Sequence, residues 1–222
     1  MPQSFLQLQG VSFRYERATE PILADVSAFF PPGWTGVVGA NGVGKSTLLQ
    51  LCCGLLSPQS GLIRSSGDCC YCPQRTDHCP TDLAALLADY NREAILICSQ
   101  LRLEDDWPDR WPSLSHGERK RAQIAVALWQ DPAVLALDEP SNHIDSDARE
   151  MLMTALRAFR GVGLLVSHDR DMVDTLCSQC LFIDPPNVAM RPGGVTQGLQ
   201  QSGIEQQDAR RNDDHAKHEL QR

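Results

Sequence analysis

A lysine and a hydroxyl residue closing a glycine-rich run form a set of groups suited to a polyphosphate. Gly39-Ala-Asn-Gly-Val-Gly-Lys-Ser46 fits the pattern G-x-x-x-x-G-K-[ST] and lies between two apolar stretches, Trp34 to Val38 and Lys45 to Cys53. The first reads as a short strand and the second, with leucines at 48, 49 and 51, as a buried helix closed by Gly54. Glycines let the backbone turn tightly, so that several N–H groups converge on phosphate oxygens at a helix N-terminus. Lys45 would add a full positive charge toward the terminal phosphates, and the Ser46 hydroxyl would ligate Mg²⁺. Gly39, Asn41, Gly42, Gly44, Lys45, Ser46 and Thr47 are therefore expected to hold a nucleotide.

A second pair of groups belongs to the same chemistry. Ala133 to Leu137 is a continuous apolar run that ends in Asp138-Glu139. Such a strand, buried on both faces, delivers two carboxylates to the edge of a parallel sheet. Asp138 is placed to hold the metal through its water shell, and Glu139 to polarise an attacking water. A solvated acidic turn would not explain why the pair terminates a wholly apolar strand.

The elements that must position these groups can be read around them. Phe5 to Tyr15 alternates, Ile22 to Phe30 does so loosely, and both suggest strands of a small antiparallel sheet. His78 to Pro112 has helical pieces, Leu83 to Tyr90 and Glu93 to Leu103, then an acidic loop bearing tryptophans, Glu104 to Trp111. It reads as a helical insertion. Val162 to Val166 is another short apolar strand, and helical patterns alternate with these strands as in a parallel α/β sheet. From Gln197 to Arg222 the chain is polar, which reads as a solvated helix or a linker.

Composition bounds the class. The 222 residues are 42% hydrophobic and 22% charged, ordinary for a globular domain. No apolar stretch approaches the length of a membrane-spanning helix, and the start has no basic and apolar leader pattern, so the cytoplasm is expected. A net charge of −8 does not suggest binding of nucleic acid through the overall field, though it leaves room for a local basic patch, and no direct DNA binding is expected. Nine cysteines, an odd number, argue against a disulfide framework. Cys69, Cys70, Cys72 and Cys79 raise a zinc hypothesis. Against it, neighbours on a strand point to opposite faces, and buried free cysteine serves as a small hydrophobe. Cys177 and Cys180 are read as straddling the end of a helix and the start of the strand Leu181-Phe182-Ile183.

Between the two phosphate motifs lies Leu114-Ser115-His116-Gly117-Glu118, followed by a helical run to Leu128. It resembles the signature motif of ABC ATPases, and other matches follow in that family's order. Tyr15 stands where an aromatic stacks on adenine, and Gln74 resembles the glutamine of the Q-loop, a metal ligand and catalytic participant. Ser141-Asn-His-Ile-Asp145 resembles the D-loop, and His168 the switch histidine that contacts the γ-phosphate. The resemblance implies a P-loop NTPase of ABC type: a parallel core sheet, a small antiparallel β subdomain, and a helical subdomain over about residues 78–118. Residues 1–190 would form the ATP-binding domain, with residues 191–222 a polar tail that starts an interdomain helix. It further implies ATP and Mg²⁺ as ligands, with Glu139, His168 and Gln74 catalytic. Ser115, Gly117 and Asp145 would complete a site on a second ABC domain, either another copy or the missing half of a longer chain. His116 departs from the family's glycine and is expected to cost little.

The phrasing Leu114-Ser-His-Gly-Glu-Arg-Lys-Arg-Ala-Gln-Ile-Ala125 and Leu135-Ala-Leu-Asp-Glu-Pro-Ser-Asn-His-Ile-Asp145 is similar to the ABC-F branch, whose soluble twin-domain members act on ribosomes. Glu118, Asn142 and His143 are the informative letters. The short segment between Gln74 and Ser115 points the same way. Arg191-Pro-Gly-Gly-Val-Thr-Gln197 partly matches the turn that leads into that branch's linker. The alternative is the ATP-binding subunit of a membrane transporter, docking through its helical insertion. A DNA-repair ATPase of the superfamily would need a long coiled-coil insertion, which this sequence lacks.

Overall fold

The computed structural model describes residues 4–142 and 144–198. Its first strands, β1 (Leu6–Phe13) and β2 (Leu23–Phe30), pair antiparallel as their alternation predicts. β3 (Gly33–Gly39) then enters a separate sheet and hands the chain to α1 (Lys45–Cys52). A strand the sequence did not suggest, β4 (Ser60–Ser65), returns to β1 and completes a three-stranded sheet in the order β2-β1-β4. It is an edge strand, exposed at every residue but Ile63, so it carries no apolar alternation to betray it.

The remaining elements build the second layer. They are β5 (Cys69–Cys72), α2 (Leu83–Leu87), α3 (Arg92–Gln100), a 3₁₀ turn (Trp111–Ser113), α4 (His116–Trp129) and β6 (Val134–Asp138). After these come α5 (Ser146–Ala158), β7 (Val162–Val166), α6 (Arg170–Leu176), β8 (Cys177–Asp184) and β9 (Asn187–Pro192). Six strands form one sheet in the order β5-β6-β7-β3-β8-β9, parallel except for the β8–β9 hairpin. A parallel core, a small antiparallel sheet and helices are the α/β architecture expected.

The pleat explains why β6 and β7 are apolar throughout. Val134, Ala136, Val162, Leu164 and Val166 face α1 and the three-stranded sheet. Leu135, Leu137 and Leu165 face the opposite way, onto a core containing α4, α5 and the buried Trp34, Trp107 and Trp111. Trp34 crosses this second core and donates its indole N–H to the Leu156 carbonyl at 2.9 Å. Gly163 makes room for it: a Cβ there would lie 2.3 Å from Trp34 Cε3.

Several boundaries differ from the sequence reading. β1 ends at Phe13, so Tyr15 lies beyond it, half exposed with its ring edge against Phe13. α2 stops at Leu87, and α3 starts from an Asn91 cap whose side chain accepts the Ala94 N–H at 2.8 Å. α4 begins inside the expected helical subdomain but runs on to Trp129, well past residue 118. β8 starts at Cys177, so both Cys177 and Cys180 are strand residues, packed where Gly36 leaves space. β9 carries the sheet to Pro192, past the expected boundary at 190. The polar tail lies outside the described residues from 199 onward, as does His143. Among the described residues no three Cys, His, Asp or Glu side chains converge as a metal set, and no helix is long and apolar enough to cross a membrane.

Candidate functional site

The carboxyl ends of β3, β6 and β7 open into a cleft of about 370 Å³, where parallel sheets place their ligands. Its floor is the loop that the glycine pattern singled out. Gly44 has φ 106°, a left-handed conformation that a side chain resists, and a Cβ there would come within 3.0 Å of Ile22. The turn leaves the N-terminus of α1 without a side-chain cap, so its N–H groups are available to an anion. Lys45 folds back and donates to the carbonyls of Gly39 at 2.9 Å and Ala40 at 3.0 Å. It thereby bridges the loop it belongs to. Asn41, Gly42, Gly44, Ser46 and Thr47 also line the cleft.

Facing this loop, β6 ends in Asp138 and Glu139, each 5% exposed. Glu139 has φ 49°, an uncommon conformation for a residue with a long side chain. Its own N–H donates to the Val166 carbonyl at 2.8 Å, and its carboxylate accepts the His168 backbone N–H at 3.1 Å. The His168 ring stands 3.4 Å from the other carboxylate oxygen and is largely exposed. The strained turn and the two contacts with the end of β7 aim the carboxylate into the cleft. Gln74, two residues past the end of β5, lines the cleft opposite.

Three further groups stand in or beside the site: Tyr71 and Lys120, which the sequence reading gave no role, and Asn142, which it read only as a letter of the D-loop. Tyr71 donates its hydroxyl to Asp138 at 2.8 Å. It sits opposite Ala136 in the β5–β6 register, and its side chain reaches diagonally to the next residue on that face, Asp138. Burial, joined by the charge of Asp138, raises the Tyr71 phenol well above its ordinary value, so it stays a donor. Asn142 lines the cleft from the loop after β6. Lys120, fully buried on α4, donates to the carbonyls of Pro73 and Gln74, behind the cleft. Burial pulls its pKa down to about 8. A polar letter in a short apolar strand was the only trace of Tyr71; Lys120 reads in the sequence as one more basic residue on a polar helix.

Other expected residues stand apart. Tyr15 does not line the cleft, but its hydroxyl pairs with Thr47 Oγ1 at 3.0 Å, which tethers it to the start of α1. Gly39 borders a second groove of about 850 Å³ beyond the phosphate loop, which shares Lys45 and His168 but lacks Asp138, Glu139 and Gln74. The smaller cleft is therefore the candidate site. Ser115 and Gly117 lie at the N-terminus of α4. There Ser115 and Glu118 form a reciprocal cap, the hydroxyl accepting the Glu118 N–H at 3.2 Å and the Ser115 N–H reaching the Glu118 carboxylate at 2.6 Å. Asp145 caps α5 through the Ala148 N–H at 2.7 Å, and neighbouring Ile144 covers Gly117. These three residues form a surface distinct from the cleft.

Ser46, Gln74 and Asp138 all line the cleft and offer it oxygen donors, the kind that suit a hard cation such as Mg²⁺. The ABC transporter family model matches residues 23–142, more than half of the chain. The chain belongs to this family. It is an ABC ATPase domain. The probable ATP-binding protein YbiT of Escherichia coli O157:H7 is 30% identical over 213 residues, covering 90% of this chain and 40% of that protein. The tylosin resistance ATP-binding protein TlrC of Streptomyces fradiae is 29% identical over 275 residues, covering all of this chain and 50% of that protein. This ABC domain thus spans half or less of both relatives. In fold it resembles MJ0796, an ATP-binding cassette solved as a post-hydrolysis dimer with ADP and Pi, with a TM-score of 0.70 at 19% identity. That likeness covers 84% of this chain and 98% of the other.

Proposed function

We propose that this domain binds ATP with Mg²⁺ in the cleft, pairs head-to-tail with a second ABC domain, and hydrolyses ATP to open the pair. The observation that carries the reading is the geometry of Glu139. A buried carboxylate, held by the His168 N–H at the end of an apolar strand, faces the phosphate loop of Lys45. In this reading the α1 N-terminus and Lys45 bind the phosphates. Ser46, Asp138 and Gln74 would hold Mg²⁺, which neutralises charge on the β- and γ-phosphates. Glu139 orients the attacking water and takes its proton. His168, exposed at the rim, contacts the γ-phosphate, and Tyr15 stacks on the base beside Thr47. Ser115, Gly117 and Asp145 serve the second domain's nucleotide. ATP then works as an adhesive between domains, and its loss shifts the population to the open state.

Within the family we infer the ABC-F branch and a role on the ribosome. The Glu118 and Asn142 letters support this, as does the fact that the domain spans 40% and 50% of YbiT and TlrC, lengths that leave room for a second domain. Residues 191–222 would then lead into the linker. A transporter subunit is the second reading, favoured by the exposed Tyr90, Ile95 and Leu96 on the helical segment. Tagged Glu139→Gln protein in a sucrose gradient of cell lysate separates the two. ATP-dependent migration with ribosomal particles is the expected result. Recovery with membranes, lost when Ile95 and Leu96 are made polar, would replace it with the transporter reading.

A further inference from the structure

Lys120 is a fully buried lysine that neither phosphate chemistry nor the pairing surface explains. Its ammonium donates to the Pro73 carbonyl at 2.7 Å, the Gln74 carbonyl at 3.1 Å and the Gln123 side-chain oxygen at 2.9 Å. Gln123, in turn, donates its amide to the Arg75 carbonyl at 3.4 Å. Three consecutive carbonyls, 73 to 75, are thus satisfied by two side chains of α4. These residues follow the end of β5, so their carbonyls have left the strand ladder, and a buried ammonium without acceptors would be costly. An ammonium, with three donors and no acceptor, suits such a set of oxygens.

The placement gives the contact a consequence. Lys120 lies five residues after Ser115, roughly 7.5 Å along the helix at 1.5 Å per residue. The backbone it grips carries Gln74, which lines the cleft. α4 itself is rigidly started by the reciprocal cap of Ser115 and Glu118. A displacement of the signature end of α4 is therefore passed to the Gln74 backbone through hydrogen bonds rather than through loose packing.

We propose that Lys120 is a positioning residue that locks the Gln74 loop to the signature helix, so that engagement of Ser115 and Gly117 by a second domain sets the position of Gln74 in this domain's own cleft. The proposal rests on the reading of Gln74 as a residue that acts at the metal and the attacking water. Lys120 touches no reacting atom. Its removal should leave phosphate binding by Lys45 intact and impair the step that needs Gln74.

The test compares wild type, Lys120→Met and Lys120→Arg by hydrogen–deuterium exchange of the full chain and by ATPase kinetics. In Lys120→Met the amides of residues 74–76 should exchange about tenfold faster while peptides from β6 and β7 keep their protection. kcat should fall about fivefold or more with KM for ATP changed less than about twofold, and Lys120→Arg should restore both readouts. Unchanged exchange at 74–76 would overturn the proposal. So would a rise shared by β6 and β7 with no rescue by arginine, since that marks a general loss of packing. If Lys120→Met does not fold, Lys120→Gln, which is shorter and keeps two of the three donors, takes its place under the same criteria. Wild-type protein without ATPase activity would count against the proposed function, while the exchange comparison would still decide the role of Lys120.

Discussion

Tyr71 shows how much a single donor can govern at a site of this kind. Its hydroxyl holds one oxygen of Asp138, a residue of the cleft lining, at 2.8 Å and so restricts how the carboxylate can turn. A hydrogen bond to a charged group contributes about 1.5–3 kcal/mol, and partners of a metal-binding carboxylate are worth comparable factors in affinity. Tyr71→Phe keeps the ring, and with it the packing of β5 on β6. We expect the Mg²⁺ concentration for half-maximal ATPase activity to rise about tenfold, with KM for ATP at saturating metal unchanged. A metal titration of the rate measures this directly; identical curves would show that Asp138 is oriented without Tyr71. The cleft residues proposed to act on the nucleotide were legible because each ends a recognisable run: Lys45 after glycines, Glu139 after an apolar strand. Tyr71 and Lys120 were not, because their importance comes from what a neighbouring strand or loop brings to them.

At the scale of elements, the parallel strands were readable because burial on both faces makes them continuously apolar, and β6 and β7 fall where those runs lie. β4 escaped because an exposed edge needs no pattern, and the start of β8 because the polar pair Ser178-Gln179 reads as the end of the preceding helix. What fixes β7 against β3 is also local. Trp34 and Gly163 are partners in the parallel register, and the indole occupies the space of the missing side chain. Gly163→Val forces the Trp34 ring off a contact that would close to 2.3 Å. Overpacking of this kind costs about 3 kcal/mol. In a domain of this size that corresponds to a fall in Tm of roughly 6–12 °C, measured by circular dichroism. Unchanged melting would mean that Trp34 can turn aside and that the β3–β7 register does not depend on it. The cleft forms between the ends of these same strands, so the variant should lose ATPase activity at temperatures well below the wild-type limit.

The whole molecule presents two surfaces that do not meet: the cleft of Lys45 and Glu139, and the α4–α5 edge of Ser115, Gly117 and Asp145. In the proposed function these are the two halves of one composite site, completed only by another domain, and this gives pairing a sharp signature. Glu139→Gln removes the proposed base but keeps its size, so ATP should bind and remain. We expect light scattering after gel filtration to find this variant paired in ATP and monomeric in ADP. Ser115→Arg added to it should abolish pairing. It replaces the capping hydroxyl with a long side chain on the approach to a second domain's phosphates. Because Ser115 lies away from its own cleft, affinity for a fluorescent ATP analogue should change by less than about twofold, no more than about 0.4 kcal/mol. Pairing that survives Ser115→Arg would move the interface off α4, and a loss of nucleotide affinity would show that the two surfaces communicate within one chain. If Glu139→Gln alone stays monomeric in ATP but binds it, the cleft is sound and the second domain must be a different one. That outcome would fit a domain that spans half or less of YbiT and TlrC.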